Sequence, residues 1–91
     1  MANFVGAQFG LLAEFDRASF FLHANFQDAE FDYVTFNEAS FDSVADFDNA
    51  QFHQSCFRKT IFGRFISFNY AEFGPDAVFW ETQFEGDAYF I

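Results

Sequence analysis

The chain has 91 residues, 14 of them Asp or Glu against 4 Lys or Arg, for a formal net charge of −10. That length is one small domain, residues 1–91, and no apolar stretch approaches the roughly 20 residues of a membrane-spanning helix. The negative balance argues against direct binding of nucleic acid phosphates, and a single cysteine excludes an internal disulfide framework or a zinc site of several thiolates. No basic segment followed by an apolar one opens the chain, so a cleavable signal peptide is not expected.

Phenylalanine supplies 19 residues, and 17 of them recur at intervals of five or six. In chain order these are Phe4, Phe9, Phe15, Phe20, Phe26, Phe31, Phe36, Phe41, Phe47, Phe52, Phe57, Phe62, Phe68, Phe73, Phe79, Phe84 and Phe90. Only Phe21 and Phe65 fall out of register. Two positions before each repeat Phe stands Ala in twelve units, and Val34, Ser55, Thr60, Ile66 and Thr82 in the other five. A period of five fits neither the 3.6 of a helix nor the 2 of a long strand. It fits a short strand closed by a turn. Ala and Phe, two apart, then point the same way, and in most units Gly, Asp, Asn, Gln, Glu, Arg or Pro follow as turn or surface residues.

The six-residue intervals count the sides. With the units numbered in fours, Phe20 to Phe26, Phe41 to Phe47, Phe62 to Phe68 and Phe84 to Phe90 all step from side four to side one. The other two, Phe9 to Phe15 and Phe73 to Phe79, step from side two to side three. Insertions that recur at the same corner predict a four-sided coil of 21 or 22 residues. From Ala2 to Phe90 this Ala-x-Phe-x-x pattern resembles the pentapeptide-repeat family. The resemblance implies an all-β fold, a right-handed quadrilateral parallel β-helix of about four coils, with the small residue and the Phe pointing inward. The use of Phe at every centre and the frequent six-residue units depart from the family's commoner pattern.

At strand spacing, stacked coils make a rod about 20 Å long and hold the rings of one column in stacking range. The chain begins and ends inside the repeat, without a capping helix. Solenoid ends without caps expose strand edges and rings, so either self-association or binding of a protein partner through coil ends is expected, or the chain is an excerpt of something longer. Leu11, Leu12, Phe21 and Leu22 lie on first-coil corners, placed to fold over the open end or to meet a neighbour. Phe65 is expected as a loop anchor.

Residues just before each Phe are expected to face solvent. Side two reads Gln8, Glu30, Gln51, Glu72, and side one reads Asn3, Asn25, Asp46, Ser67, Tyr89. With Asp28 and Asp48 on the corner between them, this quarter is a candidate acidic face of Asp28, Glu30, Asp46, Asp48 and Glu72. Side three reads Glu14, Thr35, Cys56, Val78, and side four reads Ser19, Ser40, Ile61, Gln83. Here Ile61, Val78 and Trp80 form a candidate apolar contact side, beside Arg17, Arg58 and Lys59.

His53 and Cys56 are three apart, a pairing able to make a nucleophile, but a corner and a flat side offer them no expected cleft. Cys56 reads as a solitary thiol of a reducing compartment, which places the chain in the cytoplasm. Alternating acids without a Gly-centred loop are a weak cation signal. No GxGxxG, P-loop or HExxH motif occurs. No catalytic, cofactor or metal residue is therefore assigned, and no enzyme is expected. Gly74-Pro75-Asp76 reads as a corner turn.

Two functions remain. The first is a structural or protein–protein interaction module. The second follows from the resemblance, because some family members are similar in outline to B-form DNA and bind type II topoisomerases such as gyrase, inhibiting or protecting them. Duplex DNA carries a charge per about 1.7 Å, so about 20 Å of it carries roughly 12, comparable to −10 here. The same length equals only about six base pairs at roughly 3.4 Å each. If the Phe point inward, Phe47→Ala or Phe52→Ala removes a central ring and costs about 3–5 kcal/mol. Melting temperatures unmoved by both substitutions would refute the inward assignment.

Overall fold

A computed structural model describes residues 1–91 as strands and turns throughout. All strand pairs are parallel. Side one is a sheet of Ala2–Asn3, Ala24–Asn25, Val44–Asp46, Phe65–Ser67 and Asp87–Tyr89. Side four is a sheet of Ser19–Phe20, Ser40–Phe41, Ile61–Phe62 and Gln83–Phe84. Sides two and three differ from the expectation of separate flat faces. Strands Glu30–Thr35, Gln51–Cys56 and Glu72–Val78 run through the corner between them, so both sides belong to one sheet. The register is the one the repeat dictates: Ala2 lies beside Ala24, Gln8 beside Glu30, and Phe41 beside Phe62.

The repeat phenylalanines fill the interior as four columns. Within a column, thirteen successive ring pairs stack with centroids 4.7–5.3 Å apart and planes within 19°. The interior is not four-fold symmetric. Columns one and three meet edge to face through the middle, at 5.6–6.4 Å and 78–89°, the arrangement the ring quadrupole favours. The rings of the middle coils are fully buried, those at the first coil partly so. Phe84 and Phe90, on the last coil, are 39% and 54% exposed.

Two kinds of corner close the coil. After sides one and three, the Phe carbonyl accepts from the amide three residues on, as from Ala29 to Phe26 and from Ala39 to Phe36. The residue before that amide is left-handed: Gly6, Asp28, Asn49 and Tyr70 on one corner, Arg17, Glu38, Lys59 and Glu81 on the other, all with φ of 56–68°. This is the positive φ that a type II turn requires at its third position. Seven of these eight are not glycine, so the stack imposes the conformation against local preference.

The other two corners take the longer units. There the Gly74-Pro75-Asp76 step, expected as a turn, is a bulge inside a strand: Phe73 pairs Phe52 and Asp76 pairs Gln54, leaving two residues opposite His53. The extra residue bends the strand. Phe65, expected as a loop anchor, instead lies in a side-one strand with its ring 5.3 Å from that of Tyr89. Thr35 and Ser67, expected outside, are buried. Thr60 and Thr82, which stand two positions before a repeat Phe, donate their hydroxyls to the turn carbonyls of Phe36 and Phe57. The body measures 28 × 24 × 24 Å between Cα extremes. It is a block nearly as wide as it is long.

A Cβ built on Gly74 would come 2.1 Å from the His53 carbonyl oxygen, whereas one on Gly10 meets nothing within 4 Å. Gly74→Ala therefore destabilises by about 1–3 kcal/mol, and Gly10→Ala by less than about 0.5 kcal/mol. Equal thermal melting curves for the two variants would show that the coils do not approach each other this closely at the bulge.

Candidate interaction surface

With the interior filled by rings and small residues, no charged side chain is buried. Each exterior position repeats as a column one coil apart. Side two alternates Gln8, Glu30, Gln51 and Glu72 in direct register, so no two carboxylates are immediate neighbours and like-charge repulsion is reduced.

The candidate acidic residues separate into two groups. Asp28, Glu30 and Glu72 are exposed. Asp46 and Asp48 are half-buried and their oxygens are engaged. Asp46 accepts from the Asp48 amide at 3.0 Å and from the Gln27 side chain. Asp48 accepts from the Asn69 amide at 2.9 Å and from the Ser67 hydroxyl. Asn3 and Asn25 close the same two-residue loop as Asp46, taking the amides of Val5 and Gln27. Asn69 passes the pattern upward to the Ile91 amide. These carboxylates satisfy backbone donors at a corner where the strand ladder is interrupted.

The opposite corner runs the same device and then changes. Asp16 accepts from the Asn37 amide, and Asn37 from the Arg58 amide. The next member is Arg58 itself, whose guanidinium lies 4.7 Å from the centroid of the Trp80 ring above it. Beside them the left-handed residues Arg17, Glu38, Lys59 and Glu81 alternate in sign. Lys59 and Glu81 approach to 4.0 Å, the one ion pair of the chain. Both are about half exposed, so this pair adds little stability.

The candidate apolar side lies around that corner. Val78 is on side three, Trp80 on the corner and Ile61 on side four, and they are 42%, 53% and 37% exposed. Repeat arithmetic alone finds the Arg58–Trp80 contact, because each residue directly follows a side-three Phe, 22 positions apart.

Three surface depressions occur. One is lined by Glu38, Lys59, Ile61, Glu81 and Gln83, a second by Tyr33, Gln54, Ser55, Cys56, Asp76 and Val78. A third lies at Gln8, Gly10, Glu30 and Asp32. His53 is exposed, and Cys56 is a half-buried free thiol on the same strand. No group of three or more His, Cys, Asp or Glu is placed to hold a metal ion. No helix is long and apolar enough to cross a membrane.

Residues 24–64 and 47–91 each match the family described as "Pentapeptide repeats", the first as eight copies and the second as nine. The chain belongs to the pentapeptide-repeat family. No curated protein and no solved structure matches it. Family membership accounts for the solenoid and the inward columns. The hydrogen-bonded corners and the Arg58–Trp80 contact are properties of this chain's own residues.

The corner network makes a separable prediction. Asp48→Ala removes the acceptor of a backbone amide and a buried hydroxyl, and costs about 1–3 kcal/mol. Asp48→Asn keeps an acceptor, as Asn37 and Asn69 do on their columns, and costs less than about 1 kcal/mol. Chemical denaturation distinguishes them, and equal losses would assign the effect to charge and not to the amide acceptor.

Proposed function

We propose that this pentapeptide-repeat solenoid is a non-enzymatic module that binds protein through its outer surface. The observation that carries this reading is the division of the molecule into a ring-filled interior and an exterior of fixed columns. An enzyme needs converging polar groups in an enclosed recess, and the recesses here are open depressions on the outer surface. The contact side is the corner of Ile61, Val78 and Trp80. Trp and Arg dominate binding energy at protein interfaces, and Arg58 already holds the Trp80 ring.

In the test, a photo-crosslinking residue replaces Ile61 or, as control, Glu30. A defined protein adduct at position 61, abolished by Trp80→Ser with the melting temperature retained, is the expected result. Adducts equally abundant at both positions would remove the contact side. Turnover dependent on His53 or Cys56 would sink the non-enzymatic reading.

The second reading is a DNA mimic directed at a type II topoisomerase. It is favoured by the small number of compensated acids: one ion pair against 14 carboxylates. It is tested by titrating the protein into gyrase supercoiling with and without a quinolone. Inhibition or protection, lost when Asp28, Glu30 and Glu72 become Lys, would establish it. Asp46 and Asp48 are unsuitable for that test because they hold the corner together. Unaltered supercoiling by folded protein removes this reading.

A further inference from the structure

The two ends of the solenoid carry different chemistry. The first coil has Glu14, Asp16 and Arg17 as its only charged side chains, and four apolar residues stand out from its long corners. Leu11 and Leu12 on one corner are 87% and 52% exposed, and Phe21 and Leu22 on the opposite corner are 72% and 67% exposed. In later coils the same corners carry mainly polar or small residues, among them Asp32, Asp42, Gln54 and Asp76. The last coil, residues 70–91, has five acids and no Lys or Arg.

We infer that two copies of this chain pair through their first coils, about a two-fold axis that runs from the Phe21–Leu22 corner to the Leu11–Leu12 corner. The proposal goes beyond the interaction-module reading and names one partner, a second copy. Its warrant is geometric. The edge of the first coil is a ramp that rises by one coil, with its step where the Ala2 amide meets the His23 carbonyl. Two ramps of the same hand face each other at constant separation when a two-fold axis passes through the step. The step lies at the Phe21–Leu22 corner, and the axis leaves through the opposite corner, which holds Leu11 and Leu12. Each apolar corner is thus brought onto its own copy.

The same operation exchanges side one with side four and side two with side three. Phe4 then faces the copy's Phe20, and Phe9 its Phe15, one ring on one ring in each column. Outside, Gln8 meets Glu14 and Asn3 meets Ser19, so no like charges are opposed. Tight turns lie on tight turns and long corners on long corners. The end face is at least about 24 Å across, and the corner side chains extend its footprint toward the roughly 800 Å² per partner of a standard interface.

The competing arrangements lack these matches. Pairing through the last coils requires an axis through the tight corners. It sets Glu81 on Glu81 and Asp76 against Glu85 and Asp87, which like-charge repulsion disfavours. A head-to-tail stack requires a quarter turn, because the chain begins and ends on side one. Every tight turn then lies on a long corner.

The test is sedimentation velocity across the micromolar range. The expected mass is twice the 10.6 kDa of the monomer. Leu11→Lys with Leu22→Lys, both at exposed positions, halves it, with the far-ultraviolet spectrum unchanged. Glu85→Lys with Asp87→Lys leaves it doubled. In a Cys56→Ser background, oxidised Phe21→Cys forms a covalent dimer and Asp87→Cys does not. A monomeric wild type, a mass that keeps growing with concentration, or a crosslink at position 87 but not at 21 would each overturn the inference. Loss of the Trp80-dependent adduct with the dimer intact would fail the module reading alone. A monomer that still forms that adduct would fail only the dimer.

Discussion

Everything in this molecule depends on one coincidence of lengths. Parallel strands sit about 4.8 Å apart, and aromatic rings attract one another in offset stacks from about 4.5 Å. A column of Phe, one per coil, satisfies both at once, and the rings stack at 4.7–5.3 Å along all four columns. Backbone hydrogen bonding and side-chain packing therefore call for the same repeat distance. Neither has to be distorted to serve the other. The narrow width left beside the rings then dictates the second rule of the sequence, Ala or a slightly larger residue two positions earlier.

The corners are where that agreement has a cost. A side that must run and turn within five residues takes a left-handed residue at alternate corners, and the stack imposes it on Arg, Lys, Glu and Tyr alike. It also interrupts the ladder and leaves amides without strand partners. Asn3, Asn25 and Asp46 on one corner, with Asp16 and Asn37 on the other, supply the missing acceptors. Part of what looks in composition like a charged surface is thus internal hydrogen bonding turned outward. The exposed acids left free of such bonds include Glu14, Asp28, Glu30, Asp32, Glu38, Asp42 and Glu72.

The fold was legible because its signal is redundant. Seventeen registered Phe fix the number of sides, the direction of each side chain and the strand register without any single residue being decisive. What escaped was whatever depends on one atom. The engagement of Asp46 and Asp48 turns on where a carboxylate oxygen lies relative to one amide, and periodicity carries no such information. Thr35 and Ser67 obey the outward rule of the repeat yet are buried, which spacing alone does not reveal. The Gly74-Pro75-Asp76 bulge reads as a turn from composition, and only its pairing with Gln54 across the sheet tells the two apart. For the candidate contact side, column arithmetic places Ile61, Val78 and Trp80 around one corner, and the structure adds the guanidinium that holds the Trp80 ring in place.

The edge-to-face contacts between columns one and three have a consequence for how the molecule comes apart. They join each coil to the next through the centre, so cohesion is passed along the axis between nearest neighbours only. Such a chain behaves as a one-dimensional array, with a fixed penalty for its ends and a constant gain for each added coil. Opening should then start at a terminus and advance coil by coil. The last coil, whose Phe84 and Phe90 have no ring above them, is the natural point of entry. In an array of this kind the number of coils, more than the quality of any one of them, sets how long the native state persists.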